Sequence, residues 1–125
     1  SLWKQAYAVQ PKQGFPLMKL GQALTLHGQA DEAVYRFQQI DPYLGRALPF
    51  PPEYPLAHEQ LGHLDTAEDL FVRGLTAGAR GDTIRAQAER RALVIAYAAF
   101  LGRHDRDPAP GLPESVSESL RAHID

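Results

Sequence analysis

The amino-acid sequence predicts an all-α fold, an α-solenoid of right-handed, stacked antiparallel helical hairpins. Two observations indicate this fold. Residues of the same type recur 34 positions apart, and segments with apolar side chains at helical spacing alternate with short turns. A single helical hairpin cannot bury its apolar face alone, so repeated hairpins must pack on one another. We therefore expect one domain of six or seven helices over residues 1–125.

The recurrence is clearest between residues 20–42 and 60–75. Four residue types keep the same spacing in both stretches, and the pairs are Gly28 and Gly62, Asp31 and Asp65, Ala33 and Ala67, and Phe37 and Phe71. A further step of 34 residues back from Phe37 reaches Trp3, so aromatic side chains stand at three equivalent positions. Four agreements in one register indicate a repeated structural unit.

Elementary physical chemistry gives each repeated residue a role. The two glycines stand where one helix must end and the chain reverse, because glycine adopts a positive φ without strain. The aspartates fall in the first turn of the second helix, where a carboxylate stabilises unpaired N–H groups. The alanines allow two antiparallel backbones to approach closely, and Phe37 and Phe71 fill the wider space one turn later. The repeated unit is therefore a helical hairpin.

This pattern resembles the tetratricopeptide repeat (TPR), a helical hairpin of 34 residues. The family's unit has a Leu-Gly pair in its first helix, glycine at the turn, alanine and an aromatic residue in its second helix, and a terminal proline. The matching residues here are Leu20, Gly21, Leu24, Gly28, Ala33, Phe37 and Pro42. The resemblance implies a repeat over residues 14–42. It also implies the second half of an earlier repeat over residues 2–11, where Trp3, Ala6 and Pro11 keep the family spacing.

The next unit, residues 48–77, departs from the pattern in its first half. Prolines stand at positions 49, 51, 52 and 55, and proline removes a helix donor and clashes with the preceding turn. We therefore expect an irregular segment over residues 43–55 and a short helix over residues 56–61. Because long loops are often functional, Phe50 and Tyr54 are candidate partner-binding residues. The alternative is an insertion that packs both rings on the surface.

The last unit, residues 83–124, is expected to be a degenerate repeat with a capping helix. A helix over residues 83–101 has apolar residues at helical spacing, and these are Ala88, Ala92, Ile95, Ala96 and Ala99. Proline suits the first position of a helix, so Pro113 predicts the start of the last one. Its apolar stripe would consist of Val116, Leu120 and Ile124.

Composition argues against several classes of function. The net charge of −2 argues against nucleic-acid binding, which usually needs a basic excess. Without cysteine, the chain has no disulfide, thiol nucleophile or zinc-thiolate site. The longest apolar run, residues 92–101, is shorter than the about 20 residues that span a bilayer, so we expect no direct membrane insertion.

Motifs with catalytic or metal-binding chemistry are few. The stretch "HEQLGH", residues 58–63, approaches the His-Glu-x-x-His zinc motif, but its histidines are five positions apart. On a continuous helix they would lie about 140° apart, so we interpret them as polar turn residues. We interpret "RHDRD", residues 103–107, as a charged, solvated turn, and Glu89 with its arginine neighbours as a solvated helix face. We therefore expect no enzymatic activity, cofactor or metal site.

The family resemblance implies a non-catalytic protein-interaction module. Members of the family bind peptide segments on a concave face lined by their first helices. Carried over position by position, that face corresponds to Met18, Lys19, Gln22, Leu26, Gln87, Arg90 and Val94. We expect a protein or peptide partner. We do not expect a clamp for chaperone carboxylates, because the asparagines that such a clamp needs are missing.

Two further expectations concern the larger context. Abundant alanine, leucine, arginine and glycine are typical of bacterial proteins, and indicate a scaffold in a bacterial assembly. The alternative is a regulatory or oligomerisation domain of a multidomain enzyme, for example a cell-envelope or glycosyl-transfer enzyme, with its catalytic part outside this chain. Trp3 and Tyr7 share a face of the first half-repeat and predict weak self-association.

Overall fold

The computed structural model describes residues 11–77 and 82–124, and six α-helices account for most of them. The helices are α1 (Pro11–Leu26), α2 (Ala30–Ile40), α3 (Glu53–Gln60), α4 (Leu64–Ala77), α5 (Ile84–His104) and α6 (Glu114–Ile124). A 3₁₀ turn, Asp41–Tyr43, follows α2. Within the described residues there is no strand beyond one isolated bridge between Leu44 and Leu48. The predicted all-α class is confirmed there, whereas Trp3 and Tyr7 lie outside the described residues.

The helices contact one another as three consecutive hairpins. Helices α1 and α2, α3 and α4, and α5 and α6 form the pairs. Helix α3 also contacts both α1 and α2, and α5 contacts α4. One continuous set of buried apolar side chains joins the hairpins into a single core.

The turns within the first two hairpins confirm the role predicted for glycine. Gly28 follows α1 with φ of 78°, and Gly62 follows α3 with φ of 81°. A Cβ atom built at either position would have no heavy atom within 4 Å. Backbone conformation, and not lack of space, is therefore the reason for glycine at both turns.

The alanines and phenylalanines of the repeat occupy equivalent positions in the core. Ala33, Ala67, Phe37 and Phe71 are all fully buried. The Phe37 ring packs on Gly21, where an added Cβ would lie only 2.7 Å from it. Each phenylalanine also meets an aromatic ring of the following hairpin. The ring centroids of Phe37 and Tyr54 are 5.0 Å apart, and those of Phe71 and Tyr97 are 5.2 Å apart.

The proline-rich part of the second hairpin is more helical than the sequence predicts. Helix α3 begins at Glu53 and not at residue 56, so the irregular segment is shorter than expected. Pro55 lies in the first turn of α3. The first turn has no intrahelical acceptor for its N–H groups, so a proline there removes no hydrogen bond. Clusters of proline therefore predict an irregular segment without fixing where it ends.

The buried face of α5 differs from the predicted one. Of the five predicted core residues, only Ala96 is half-buried, and Ala88, Ala92, Ile95 and Ala99 are exposed. The buried side chains of this helix are Ala86, Leu93, Val94, Tyr97, Ala98, Phe100 and Leu101. Helix α5 has two apolar stripes. The stripe with the larger side chains is buried because the free energy of burial grows with apolar area, by about 25 cal/mol per Å².

The two ends of α5 are capped locally, and α6 packs against it. Thr83 caps the N-terminus, since its hydroxyl oxygen accepts a hydrogen bond from the N–H of Ala86. In α6, Val116 and Leu120 are buried as predicted, but Ile124 is 44% exposed. The core contact of α6 is therefore confined to the first two residues of the predicted stripe.

Candidate functional site

A groove of about 460 Å³ lies between α1, the proline-rich segment and the beginning of α5. Its lining combines three segments that are distant in sequence, and consists of Phe15, Met18, Lys19, Gln22, Ala47, Pro49, Phe50, Pro51, Pro52, Arg85, Ala88 and Glu89. The volume is within the range of about 300–1,000 Å³ that is usual for ligand-binding clefts. This groove is therefore the candidate site.

Apolar side chains form much of the groove surface. Phe15 is 47% exposed, although it is a large aromatic residue. The proline rings of residues 49, 51 and 52 form a second, proline-rich wall, and the exposed methyl group of Ala88 adds to the apolar surface. Proline restricts its own backbone, so this wall is rigid before any ligand binds. Such a surface binds apolar groups at a small entropic cost.

Two cations also line the groove, one on each of its two helices. Lys19 is exposed on α1, with its Nζ atom 5.3 Å from the centre of the Phe15 ring. Arg85 is exposed on α5. Among the described lining residues, Glu89 has the only carboxylate. It is half-buried and accepts a hydrogen bond from the N–H of Phe50 over 2.7 Å. The accessible charge in the groove is therefore positive.

Buried contacts hold the proline-rich wall in place. Phe50 is 1% exposed and packs on Gly74, where an added Cβ would lie 2.7 Å from its ring. Tyr54 is 4% exposed, and its hydroxyl group donates to Asp41 over 2.8 Å. Arg73 donates to the same carboxylate over 3.0 Å and to the Asp41 carbonyl oxygen over 2.8 Å. Both ends of the proline-rich wall are thus tied to the core.

These contacts correct the interpretation of Phe50 and Tyr54. Neither ring packs on the surface, and neither offers a partner more than its edge, because each fills a space in the core. Burial, together with the hydrogen bond to Asp41, raises the pKa of Tyr54 above its usual value. The hydroxyl group therefore stays protonated and remains a donor to Asp41.

The structure separates the seven predicted groove residues into different places. Met18, Lys19 and Gln22 line the groove, although Met18 is 3% exposed. Gln22 donates to the Glu53 carboxylate over 2.9 Å, and so connects α1 to α3. Leu26 is 77% exposed at the end of α1 and is not part of the lining.

The other three predicted residues line a different cavity. Gln87, Arg90 and Val94 lie between α5 and α6, in a cavity of about 380 Å³ that Ser119 and His123 also line. Val94 is 2% exposed and belongs to the core. The prediction that these three residues line the groove is wrong because it assumed a different rotation of α5 about its axis. In the observed rotation, Arg85, Ala88 and Glu89 face the groove. The one feature of the sequence that could have indicated this rotation is the apolar stripe with the larger side chains.

Ion pairs around the end of α5 also differ from expectation. Arg103 binds the Glu59 carboxylate with two hydrogen bonds of 2.7 and 2.8 Å, and His104 contacts the same carboxylate. Arg106 lies 3.1 Å from both Asp65 and Glu68. The "RHDRD" stretch is therefore not only a solvated turn, because it connects α5 to the second hairpin.

The environment of Glu59 favours its charged form. Burial alone would raise the pKa of this carboxyl group, but the hydrogen bonds and positive charges of Arg103 and His104 outweigh burial. The pKa of Glu59 therefore lies below its usual value. The contact has a structural role, since it joins α3 to the last turn of α5.

The two histidines of "HEQLGH" lie close together, contrary to the geometry expected from the sequence. Helix α3 ends at Gln60, and the chain turns at Gly62 before α4 begins. The Nδ1 atoms of His58 and His63 are consequently 3.3 Å apart. The expected separation of about 140° assumed a continuous helix. Among the described residues, no group of three or more histidine or acidic side chains is placed to hold a metal ion.

Comparisons with known proteins do not assign a family. The sequence matches no protein-family model, and neither the curated proteins nor the solved structures give a significant match. In the part of the chain that the structure describes, no helix is both long and apolar enough to cross a membrane. The groove geometry is therefore the main basis for a functional assignment.

Proposed function

We propose that this chain is a TPR-like solenoid of right-handed, stacked hairpins that binds an extended peptide segment of a partner protein. The observation that carries the proposal is the groove, whose lining combines apolar side chains with the exposed cations of Lys19 and Arg85. Hairpins with equivalent glycine turns and equivalent buried phenylalanines, 34 residues apart, support the solenoid. In this role the chain is a scaffold within a larger bacterial protein or assembly.

The groove chemistry specifies the kind of peptide. Phe15 and the proline rings favour an apolar or aromatic side chain, and the accessible cations favour carboxylates near it. Charge complementarity of this kind contributes specificity and a faster association. The expected ligand is therefore an extended acidic segment with one apolar anchor residue.

The lining residues also favour binding over catalysis. Among the described residues that line the groove there is no serine, threonine, histidine or aspartate. Its one carboxylate, that of Glu89, already accepts the Phe50 N–H. A general base must reach the proton that it abstracts, and Glu89 holds a structural hydrogen bond instead. These features support a module that binds without chemical turnover.

Peptide display against the purified chain tests this proposal. The selected peptides are expected to share acidic residues around an apolar one. Binding of a selected peptide, measured by fluorescence anisotropy, should weaken at least about tenfold in Lys19→Glu and in Arg85→Glu, because each change reverses a groove charge. Each substitution should leave the helical circular dichroism spectrum unchanged, since exposed charges contribute little to stability.

Arg91→Glu is the matched control for Arg85→Glu. Arg91 is also exposed on α5, but it lines the cavity between α5 and α6 and not the groove. Its reversal changes the net charge by the same amount and should leave peptide affinity unchanged. Equal weakening by Arg85→Glu and Arg91→Glu would mean that net charge alone determines binding. Unchanged binding in both groove variants would exclude the groove as the binding site.

A further inference from the structure

A second cavity, of about 350 Å³, lies beside the peptide groove. Its lining comes from the turn before the proline-rich wall, from the end of α4 and from the beginning of α5. Four residues, Ala47, Pro49, Arg85 and Glu89, line both the cavity and the groove. A peptide segment bound in the groove therefore passes next to this cavity.

Arg46 extends into this region from a turn whose backbone is fixed. Leu44 and Leu48, on either side of it, are each 4% exposed and anchor the turn in the core. Within the turn, the N–H of Gly45 donates to the Leu48 carbonyl oxygen over 2.8 Å. The N–H of Arg46 donates to the Tyr43 carbonyl oxygen over 3.1 Å. The backbone position of Arg46 is thus set before any ligand binds, which lowers the entropic cost of binding.

The cavity contains two cations whose charge is not neutralised. Arg46 and Arg85 both line it, and both are exposed. Among the described residues, neither guanidinium group has an ion pair or a side-chain hydrogen bond. Arg73, which lines a neighbouring cavity together with Arg46, is by contrast paired with Asp41 at 3.0 Å. The available positive charge is therefore that of Arg46 and Arg85.

The other polar groups of the cavity also favour a negatively charged ligand. Glu89 has the one carboxylate among the described lining residues, and this carboxylate accepts the N–H of Phe50 over 2.7 Å. Two guanidinium groups and one carboxylate leave the cavity with a net positive charge. The hydroxyl oxygen of Thr83 accepts the N–H of Ala86 over 3.1 Å, so its O–H can donate to a ligand. This set of donors suits a carboxylate.

From this arrangement we infer that an acidic residue of the bound peptide places its side chain in this cavity, where Arg46 and Arg85 bind the carboxylate together. The inference rests on the proposed function, because the same peptide lies in the groove. The groove then binds the apolar anchor residue, and the cavity binds the acidic residue near it. Arginine binds a carboxylate through two parallel N–H donors, which adds geometric specificity. Arg46 is therefore a specificity-determining residue, although it does not line the groove.

Replacement of Arg46 tests this inference. The probe is the tightest-binding peptide from the display selection, labelled for fluorescence anisotropy. Arg46→Gln should weaken its binding at least about fivefold, because one of the two cations that face the carboxylate is lost. Arg91→Gln removes the same charge from an exposed arginine that lines neither the groove nor this cavity, and should leave affinity unchanged. An equal loss in the two variants, or no loss in Arg46→Gln, would overturn the inference.

A double-mutant cycle identifies the peptide residue that enters the cavity. Each acidic residue of the peptide is replaced in turn by its amide. At one position this replacement should weaken binding to the parent at least about tenfold, and binding to Arg46→Gln by about threefold or less, since the carboxylate has already lost one partner there. Independent effects at every acidic position would refute the inference. The proposed function would stand in that case if Lys19→Glu and Arg85→Glu still weaken binding, whereas a chain that binds no selected peptide would refute both.

Discussion

Replacement of Phe37 by alanine tests whether the repeated phenylalanines hold the hairpins together. Phe37 has no exposed surface, and its ring packs between Gly21 of the same hairpin and Tyr54 of the next. Loss of such a ring removes its burial free energy and leaves a cavity that the rigid helices fill only in part. The expected loss in the free energy of unfolding is about 3–5 kcal/mol. Domains of this size are stable by only about 5–15 kcal/mol, so the change is large.

Urea denaturation followed by circular dichroism measures this loss. The matched control is Tyr35→Ala, because Tyr35 lies on the same helix two residues earlier but is 55% exposed. Its replacement should cost less than about 1 kcal/mol. Phe37→Leu keeps most of the apolar volume and provides a folded variant if the alanine variant does not fold. A similar small loss from Phe37→Ala and Tyr35→Ala would refute the core assignment.

Two further predictions concern the turns and the buried tyrosines. Gly62→Ala should lower the free energy of unfolding by about 1–2 kcal/mol, because its φ of 81° strains any residue with a Cβ. Gly102 lies within α5, and a Cβ added there would have nothing within 4 Å. Gly102→Ala should therefore raise the free energy of unfolding by about 0.5–1 kcal/mol. A lower free energy of unfolding in both glycine variants would contradict the backbone argument. Burial, and then the hydrogen bond to Glu68, raise the pKa of Tyr97 above its ordinary value of 10.0. The unfolded chain therefore releases this proton first, so stability is unaffected by Tyr97 below pH 10 and falls as the pH rises above it. Denaturation series from pH 8 to 11 should show a shallower fall in Tyr97→Phe than in the parent, and identical slopes would refute the assignment.

The features that the sequence determined are those that depend on local conformation and spacing. Gly28 and Gly62 end helices because the backbone at both positions adopts a positive φ, which glycine accepts without strain. Phe37 and Phe71 are buried because a helix with one apolar face has one way to pack. Both conditions are properties of short segments, so a single sequence reveals them.

The rotation of α5 could be decided only by the tertiary structure. This helix has two apolar stripes, and Tyr97 and Phe100 pack against Phe71, which belongs to another hairpin. Their burial turns Arg85 and Ala88 toward the groove and Gln87 toward α6. Helical periodicity fits both stripes equally well and does not tell which of them packs against the neighbouring hairpin.

The same limit applies to contacts that cross a turn or an irregular segment. Phe50 is buried because Gly74 leaves space for its ring, and these residues are 24 positions apart. His58 and His63 approach because α3 ends between them, whereas helical geometry alone would separate them. Sequence spacing predicts distances only along a regular element. Where the element ends, the distance between two side chains depends on the path of the backbone and on the packing that holds it.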